Sequence, residues 1–244
     1  MEITSKTNIK VKQWMKYHQK KYRDQDKKFI IEGEHLIEEA LNASVLDILL
    51  VRKGVESPFF NVKEIFEVSD DVMDKLSTNI SKVDFIGICH YIENNIDQYD
   101  HVLLLDDVQD PGNMGTIIRT AYSFGYQVIF VSKNCVDIYN DKSIRSTQGA
   151  LFHIPVVQVD LKDQITELQS QKFAVIGTSL QNAKALREVQ IPEKCALLFG
   201  NEGQGVHPEL MTLCDTNICI EMHAFESLNV AIAAGICMYQ FAKR

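Results

Sequence analysis

Two polar side chains that could take part in chemistry follow an apolar run in the middle of the chain. Asn113 comes just after Pro111 and Gly112, and Arg119 lies further along the same segment. An amide can orient a hydroxyl group. A guanidinium can bind a phosphate or a developing negative charge, although its pKa above about 12 makes it a poor base. Taken alone, the two residues are equally consistent with a helix N-cap and a solvated arginine.

Two later clusters contain similar residue types. Gly200–Gly205 has the sequence Gly-Asn-Glu-Gly-Gln-Gly, and glycines let a backbone approach a ligand closely and adopt positive φ. This spacing matches neither the dinucleotide-binding pattern Gly-x-Gly-x-x-Gly nor a Walker loop, which disfavours a dinucleotide-dependent oxidoreductase and a P-loop enzyme. The third cluster, Ser227 to Asn229, precedes an apolar stretch. Helix capping by Ser227 or Asn229 is the open alternative there.

Each cluster follows a segment that is predicted to be a buried strand. The apolar runs are Val102–Leu105, Cys195–Leu198 and Thr216–Cys219. The spacing of apolar residues predicts helices after the first and third strands, one with Asn113 at its N-cap and the other over Val230–Phe241. Because ligands of open α/β sheets bind at the carboxyl ends of the strands, the three clusters are expected to share one site.

In this order, and each after a strand, the three clusters resemble the three motifs of the SpoU (TrmH-type) RNA ribose 2′-O-methyltransferases, part of the SPOUT superfamily. The matching elements are Asn113 with Arg119, Gly200-Asn201-Glu202-Gly203 and Ser227-Leu228-Asn229. The resemblance implies an α/β fold whose C-terminal SPOUT domain, residues 100–244, has a parallel sheet and a trefoil knot. It also implies a homodimer in which Arg119 of one chain completes the site of the other.

The resemblance further implies that the cofactor is S-adenosylmethionine, held largely through backbone atoms. The residues implied to bind it are Thr178, Gly200, Asn201, Gly203, Ile220, Met222 and Leu228. A side chain added at Gly200 is expected to fill space that the ligand needs.

The same resemblance implicates five residues in methyl transfer to a ribose 2′-hydroxyl. They are Asn113, Arg119, Glu202, Ser227 and Asn229. We interpret Arg119 as a clamp for an RNA phosphate and as a stabiliser of the emerging alkoxide. The amides and Ser227 are expected to orient the ribose, while Glu202 either orients other groups or accepts the hydroxyl proton.

Residues 1–95 are predicted to form a small α/β domain, followed by a polar linker at Ile92–Tyr99. Lys28–His35 resembles the most recognisable part of the substrate-binding domain that many family members carry before the methyltransferase domain. Residues 1–28 contain nine Lys/Arg and three Asp/Glu, a net charge of +6. The whole chain has a net charge of −8, so the remaining residues carry −14. A basic end on an acidic body can bind RNA phosphates, and a solvated basic helix is the alternative.

The expected RNA contacts are basic side chains. They are Lys20, Lys21, Lys27 and Lys28 from the basic end and, by the resemblance, Lys142 and Arg145. The separate N-terminal domain favours a structured ribosomal RNA, because such a domain can read RNA shape at a distance from the catalytic domain. Transfer RNA is the alternative substrate, and a non-catalytic RNA-binding protein that keeps the fold is the alternative class of protein.

The six cysteines form no Cys-x-x-Cys pair, and most lie in apolar runs. This pattern favours buried reduced thiols over a zinc site, so no metal is expected and a cytoplasmic location is predicted. No segment of the sequence is apolar over the length that a membrane-spanning helix needs, so no membrane partner is expected.

Overall fold

The computed structural model describes residues 1–93, 96, 98–180, 182–223 and 227–242. Two compact units are formed by Met1–Glu93 with Tyr139–Phe152 and by Asn94–Ile138 with His153–Arg244. The predicted consecutive domains, residues 1–95 and 100–244, differ from this division because residues 139–152 pack with the first unit. Residues 94, 95 and 97 of the predicted linker lie outside the described residues.

The regular elements follow one another along both units. The strands are β1 (Glu2–Ile3), β2 (Lys28–Glu32), β3 (Leu46–Arg52), β4 (Glu64–Val68), β5 (Phe85–His90), β6 (His101–Leu105), β7 (Val128–Val131), β8 (Val156–Gln158), β9 (Ala174–Thr178), β10 (Lys184–Ala185), β11 (Cys195–Phe199) and β12 (Thr216–Cys219). The helices are α1 (Ile9–Lys16), α2 (Lys20–Asp26), α3 (Glu34–Asn42), α4 (Asp70–Leu76), α5 (Pro111–Ser123), α6 (Asp141–Thr147), α7 (Leu161–Ser170), α8 (Pro208–Met211) and α9 (Val230–Phe241).

The first unit is built around a mixed sheet in the order β1-β4-β3-β5-β2. Strand β4 runs parallel to β1 and β3, whereas β5 is antiparallel to both β2 and β3. The basic helix α1 packs on this sheet through Val11 and Trp14, whose spacing of three residues places them on one helix face. Trp14 is 3% exposed and its ring lies 5.6 Å from that of Phe66. Ile9, the first residue of α1, lies on another side of the helix and is 85% exposed.

The segment Tyr139–Phe152 joins the first unit through aromatic packing. The Phe29 ring in β2 lies 4.6 Å from that of Tyr139 and 6.4 Å from that of Phe152. The Arg145 guanidinium in α6 donates a 2.8 Å hydrogen bond to the Thr78 hydroxyl. These contacts join residues that are far apart in the chain. The sequence could not show that this segment belongs to the first unit, because no local pattern records such contacts.

The second unit contains a seven-stranded sheet in the order β10-β12-β9-β11-β6-β7-β8, and every neighbouring pair in it is parallel. The parallel sheet predicted for this part of the chain is therefore confirmed. Its central strands are buried on both faces, and Val102 to Leu105 in β6 are fully buried. Burial on both faces is the reason these strands have continuous apolar sequences rather than alternating ones.

Helix α5 begins before the predicted N-cap. Asp110 occupies the N-cap position, and its carboxylate accepts a 2.8 Å hydrogen bond from the Asn113 backbone N–H. Pro111 occupies the first helical position, where a fixed φ and a missing N–H cause no loss. The prediction that Asn113 caps this helix was therefore wrong, and the Asn113 side chain is available for other contacts.

None of the helices formed by the described residues has the length and apolarity required to cross a membrane.

Candidate active site

The carboxyl ends of four adjacent strands, β12, β9, β11 and β6, meet at one edge of the second sheet. Beside them lies a cavity of about 480 Å³, within the range of about 300–1,000 Å³ that small-molecule sites occupy. The seven residues predicted to bind the cofactor all line it: Thr178, Gly200, Asn201, Gly203, Ile220, Met222 and Leu228. The cavity thus has the volume of a small-molecule site. The assignment of these residues to cofactor binding stays a prediction.

One wall of the cavity is a tight hairpin formed by residues 200–206. Asn201 and Gly205 exchange two backbone hydrogen bonds of 2.9 Å. The Asn201 side-chain oxygen also accepts hydrogen bonds from the backbone N–H groups of Gly203 and Gln204. A Cβ atom built on Gly200 would lie 2.1 Å from the carbonyl carbon of Gly205 and from the nitrogen of Val206. A side chain at Gly200 therefore meets the hairpin itself first, and not only the space that a ligand needs, as the sequence had suggested.

Glu202 joins this hairpin to the start of α5. Its carboxylate accepts hydrogen bonds from the backbone N–H groups of Gln109 and Asp110, at 3.2 and 3.0 Å, and from the Asn113 amide at 3.0 Å. Partial burial raises the pKa of the Glu202 carboxyl, but these hydrogen bonds outweigh burial and hold the pKa below its usual value. A carboxylate with a low pKa and three donors is a weak proton acceptor, so the geometry favours the orienting role.

Asn113 links all three sequence clusters. Its Nδ2 donates to Glu202, and its Oδ1 accepts a 2.9 Å hydrogen bond from the Asn229 amide. The Asn229 Oδ1 in turn accepts from the backbone N–H groups of Ala231 and Ile232, so Asn229 is also the N-cap of α9. The two interpretations of Asn229, a helix cap and a site residue, describe the same side chain.

Ser227 and Arg119 occupy different positions relative to the cavity. Ser227 is exposed and lines it, whereas Arg119 lies on the exposed side of α5 and does not. The Arg119 guanidinium makes no hydrogen bond or ion pair with the part of the chain that the structure describes. The structure therefore brings four of the five predicted catalytic residues to the cavity or its network and leaves Arg119 outside.

The six residues predicted to contact RNA all belong to the first unit. Lys20 and Lys21 are exposed at the start of α2. The Lys27 ammonium lies 5.4 Å from the centroid of the Tyr91 ring, while that of Lys28 lies 3.4 Å from the Asp47 carboxylate. Lys142 is exposed, and Arg145 is partly engaged by its contact with the Thr78 hydroxyl. Lys28 and Arg145 are thus both paired with an acid, because the Arg145 guanidinium also lies 3.6 Å from the Asp141 carboxylate.

Sequence reasoning missed one contact beside the hairpin. Oδ2 of Asp106, at the end of β6, lies 2.8 Å from the His207 backbone nitrogen and 2.8 Å from its Nδ1. The hydrogen bond that the Asp106 carboxylate accepts from the imidazole raises the pKa of His207 most, and the negative charge of Asp106 raises it further. His207 directly precedes Pro208 and occupies the N-cap position of α8. The two residues are 101 positions apart, so no local pattern could have paired them.

Four cavity-lining residues on helices were also missed: Met211 in α8 and Val230, Ala233 and Cys237 in α9. Burial raises the pKa of the Cys237 thiol to about 12. Residues at strand ends can be anticipated from the strand pattern. Residues on helices reach a cavity only through the packing of whole elements, which leaves no local signal.

Two family models match the chain. The model described as the SpoU rRNA Methylase family matches residues 100–239, and the one described as the MRM3-like substrate binding domain matches residues 8–81.

Known proteins resemble the chain over nearly its whole length. A Bacillus subtilis protein named 23S rRNA (guanosine(2553)-2′-O)-methyltransferase RlmP is 38% identical over 242 residues, which cover 98% of each chain. The structure of an AdoMet-bound rRNA methyltransferase from Sinorhizobium meliloti superimposes with a TM-score of 0.88 at 28% identity, covering 99% of this chain and 97% of that one. The AdoMet complex of the SpoU methyltransferase AviRb from Streptomyces viridochromogenes shares the fold, with a TM-score of 0.86, 24% identity and coverage of 96% and 97%.

Proposed function

The chain belongs to the SpoU rRNA methylase family, and from this premise we propose that its substrate is 23S ribosomal RNA. It is an S-adenosylmethionine-dependent RNA ribose 2′-O-methyltransferase. The observation that carries the choice of RNA is the 38% identity to the B. subtilis enzyme, which extends over 98% of both chains and so includes the basic first unit. By the same similarity, the methylated ribose belongs to the guanosine that corresponds to the one in that enzyme's name.

Mapping of 2′-O-methyl groups in all RNA, with and without this protein, tests the choice of RNA. We expect one methylated guanosine of 23S rRNA to disappear when the gene is deleted and to return when purified protein is added to the unmethylated RNA. Loss of a tRNA methyl group, with 23S rRNA unchanged, would identify the alternative substrate instead.

The arrangement of Glu202, Asn113 and Asn229 supports a division of labour in the reaction. The bound cofactor supplies the methyl group that the ribose 2′-oxygen attacks. Glu202 holds the start of α5 against the hairpin, and its bond to Asn113 fixes the orientation of that amide. Asn113, Asn229 and Ser227 then orient the ribose. Positioning of this kind can lower an activation barrier by several kcal/mol. Because these motif residues are present and most are linked, the alternative of a fold that has lost catalysis is disfavoured.

A second copy of the chain would complete this site. Four large apolar side chains are exposed on α5 and α9, two helices that pack together: Tyr122 (47%), Ile232 (56%), Ile236 (39%) and Tyr239 (63%). A patch of this kind commonly marks a protein interface. Arg119 and Tyr122 are three residues apart and share a face of α5, so a partner that covers Tyr122 also receives Arg119. We therefore propose a homodimer in which Arg119 acts in the partner's site.

Replacing Ile232 and Tyr239 together with Glu tests this interface. We expect sedimentation to show a dimer for the wild-type chain and a monomer for the double variant, because the new charges would be buried at the contact. A matched pair of exposed apolar residues in the first unit, Ile9 and Phe60 (85% and 79% exposed), provides the control and should leave the dimer unchanged. A wild-type monomer would contradict the proposal.

Two further features follow from the resemblance. The family fold implies a trefoil knot in the second unit, and pulling the chain by its ends should then leave it shorter than an unknotted chain of equal length. The six cysteines are free, which suits the reducing cytoplasm proposed here as the location. Recovery of the protein with a membrane or secreted fraction would contradict that location.

A further inference from the structure

The hairpin of residues 200–206 is attached at both ends to the residues that follow β6. At its start, the Asn201 side-chain amide donates a 2.9 Å hydrogen bond to the Asp107 carbonyl. At its end, the His207 backbone N–H and imidazole Nδ1 both contact Oδ2 of Asp106, each at 2.8 Å. The wall of the cofactor cavity is therefore held in place by residues that themselves lie outside the cavity lining.

The attachment at Asp106 differs from the other because it involves ionisable groups. Asp106 is only 3% exposed, whereas the His207 side chain is 52% exposed. A buried carboxylate is stable as an anion only when donors compensate for its lost hydration, and a charged donor does this best. Nδ1 can donate in the protonated imidazole or in one neutral tautomer, but only the protonated form also contributes a positive charge.

The other charged groups around His207 act in the same direction. The Asp107 carboxylate, which follows β6, lies 4.0 Å from His207 Nε2. Glu209, in α8, also favours the protonated imidazole, and its own carboxylate pairs with Lys162 of α7. Asp106 has the largest effect among these groups on the pKa of His207, which lies above its ordinary value.

We propose that His207 is a positioning residue for the cofactor. Its protonated imidazole fastens the end of the hairpin to Asp106. The inference rests on the proposed placement of the cofactor in the cavity beside this hairpin. When His207 loses its proton, the hairpin wall is held less firmly and affinity for the cofactor falls. Cofactor affinity is thereby coupled to pH through a residue that does not touch the ligand.

The direction of the pH effect follows from the raised pKa of His207. The contact is complete at pH values below the ordinary histidine pKa, and it weakens as the pH rises through the raised pKa of the folded protein. A group with a raised pKa is most stabilising at low pH, so cofactor binding should be tightest on the acidic side of neutrality.

Calorimetric titration with S-adenosylhomocysteine, the demethylated product, tests the inference between about pH 6 and about pH 9, the range in which a histidine titrates. The ligand's own α-amino group begins to titrate towards the alkaline end of this range, so variants must be compared over the same range. His207→Asn keeps a neutral donor and a residue suited to the N-cap of α8. His207→Ala removes the donor altogether.

We expect the wild-type affinity to fall about threefold to tenfold more across this range than that of His207→Asn, as suits a half-exposed ion pair. His207→Ala should bind more weakly than wild type at about pH 6, and by about pH 9 the difference should largely vanish. His35→Asn, a change at an exposed histidine of the first unit, is the control and should follow the wild-type curve.

Two results would overturn the inference. One is a His207→Asn curve that parallels the wild type, and the other is a His207→Ala protein that binds as tightly as wild type at about pH 6. A wild-type chain that binds no S-adenosylhomocysteine at any pH would contradict the cofactor assignment itself, and the inference with it. Failure of the positioning role and failure of the proposed site are thus distinguishable.

Discussion

Arg119 combines an exposed guanidinium with a position outside the cavity of its own chain. An arginine of this kind is either a solvated surface group or a group that acts on a partner's substrate. Its constant positive charge suits the stabilisation of a phosphate or an alkoxide but not proton removal. The two interpretations differ by orders of magnitude in their effect on turnover, which makes this residue the most informative one to change.

Arg119→Ala should lower the methyl-transfer rate about a hundredfold or more, because a preorganised charge at a developing anion has effects of that size. Cofactor affinity and thermal stability should stay close to wild type. Arg187→Ala removes another exposed arginine of the same unit, paired with Glu221, and should leave the rate near wild type. A rate for Arg119→Ala that matches this control would show that Arg119 is only a surface residue.

Mixing subunits tests whether Arg119 acts across the interface. Ile220→Trp should fill the cavity from the end of β12, outside the hairpin, whereas a substitution at Gly200 would disturb the hairpin itself. Co-expressed Arg119→Ala and Ile220→Trp chains should regain activity, because one site of each mixed dimer has both an open cavity and a donated arginine. Continued inactivity after proven subunit exchange would contradict the shared site.

Glu202 is expected to organise the site and not to accept the proton. Glu202→Gln should reduce the rate and weaken cofactor binding, because its amide NH₂ group faces backbone donors that the carboxylate accepted. The shape of the rate–pH profile near neutral pH should not change, since the lowered pKa of Glu202 keeps the wild-type carboxylate ionised there. Loss of an acidic limb from the profile in Glu202→Gln would instead identify Glu202 as the base.

At the scale of elements, the start of α9 combines a helix cap with a side-chain bridge to α5. The Asn229 Oδ1 accepts backbone hydrogen bonds of α9 while its Nδ2 reaches Asn113 on α5. One side chain thus fixes the distance between two helices that carry different motifs. Its capping role and its proposed catalytic role are separable, because a serine can cap a helix but cannot extend an amide to Asn113.

Replacing Asn229 by Ser or Ala separates these contributions. Asn229→Ala should lower the free energy of unfolding by about 1 kcal/mol, the usual effect of losing an N-cap, and should also lower the methyl-transfer rate. Asn229→Ser should keep the stability but lose the rate to a similar degree. Urea denaturation and single-turnover rates measure the two effects. Full activity in Asn229→Ser would mean that the bridge to Asn113 has no catalytic role.

At the scale of the whole molecule, charge is divided between the parts of the chain. The basic residues near the N-terminus lie in the first unit, whereas the remainder of the chain is acidic. Local positive charge can bind RNA phosphates although the net charge is −8. The strength of such binding depends on salt in proportion to the number of phosphate contacts.

Four lysines of the basic end provide a test of this division. Replacing Lys20, Lys21, Lys27 and Lys28 with Gln should weaken RNA binding and lower the slope of log affinity against log salt, because fewer counterions are released. Lys28 should contribute least of the four, since it is paired with Asp47. Cofactor affinity should not change, which calorimetry can verify.

The matched control changes four other lysines of the first unit. These are Lys53, Lys63, Lys75 and Lys82. It removes the same formal charge from the same unit but from outside the basic end. If the slope of log affinity against log salt falls equally in both proteins, RNA affinity depends on net charge and not on the basic end.

The sequence by itself determined the elements and the residue types of the site. Apolar runs bounded by polar loops predicted three strands of the second unit, and β12 and α9 were predicted with their observed limits. Strand ends in a parallel sheet meet at one edge, so the three polar clusters could be expected to share one site. The resemblance to the family then implied which residues of that site bind the cofactor. These properties depend on short-range periodicity and on chain order, both of which a sequence contains directly.

Only the tertiary structure decided how those residues are connected. The pairs Glu202–Asn113, Asn113–Asn229 and Asp106–His207 are separated by 89, 116 and 101 positions. The placement of residues 139–152 in the first unit likewise depends on the packing of Phe29 against Tyr139 and Phe152. Contacts of this kind leave no local pattern, because they are produced when separate elements pack against one another and bring their ends within hydrogen-bond distance.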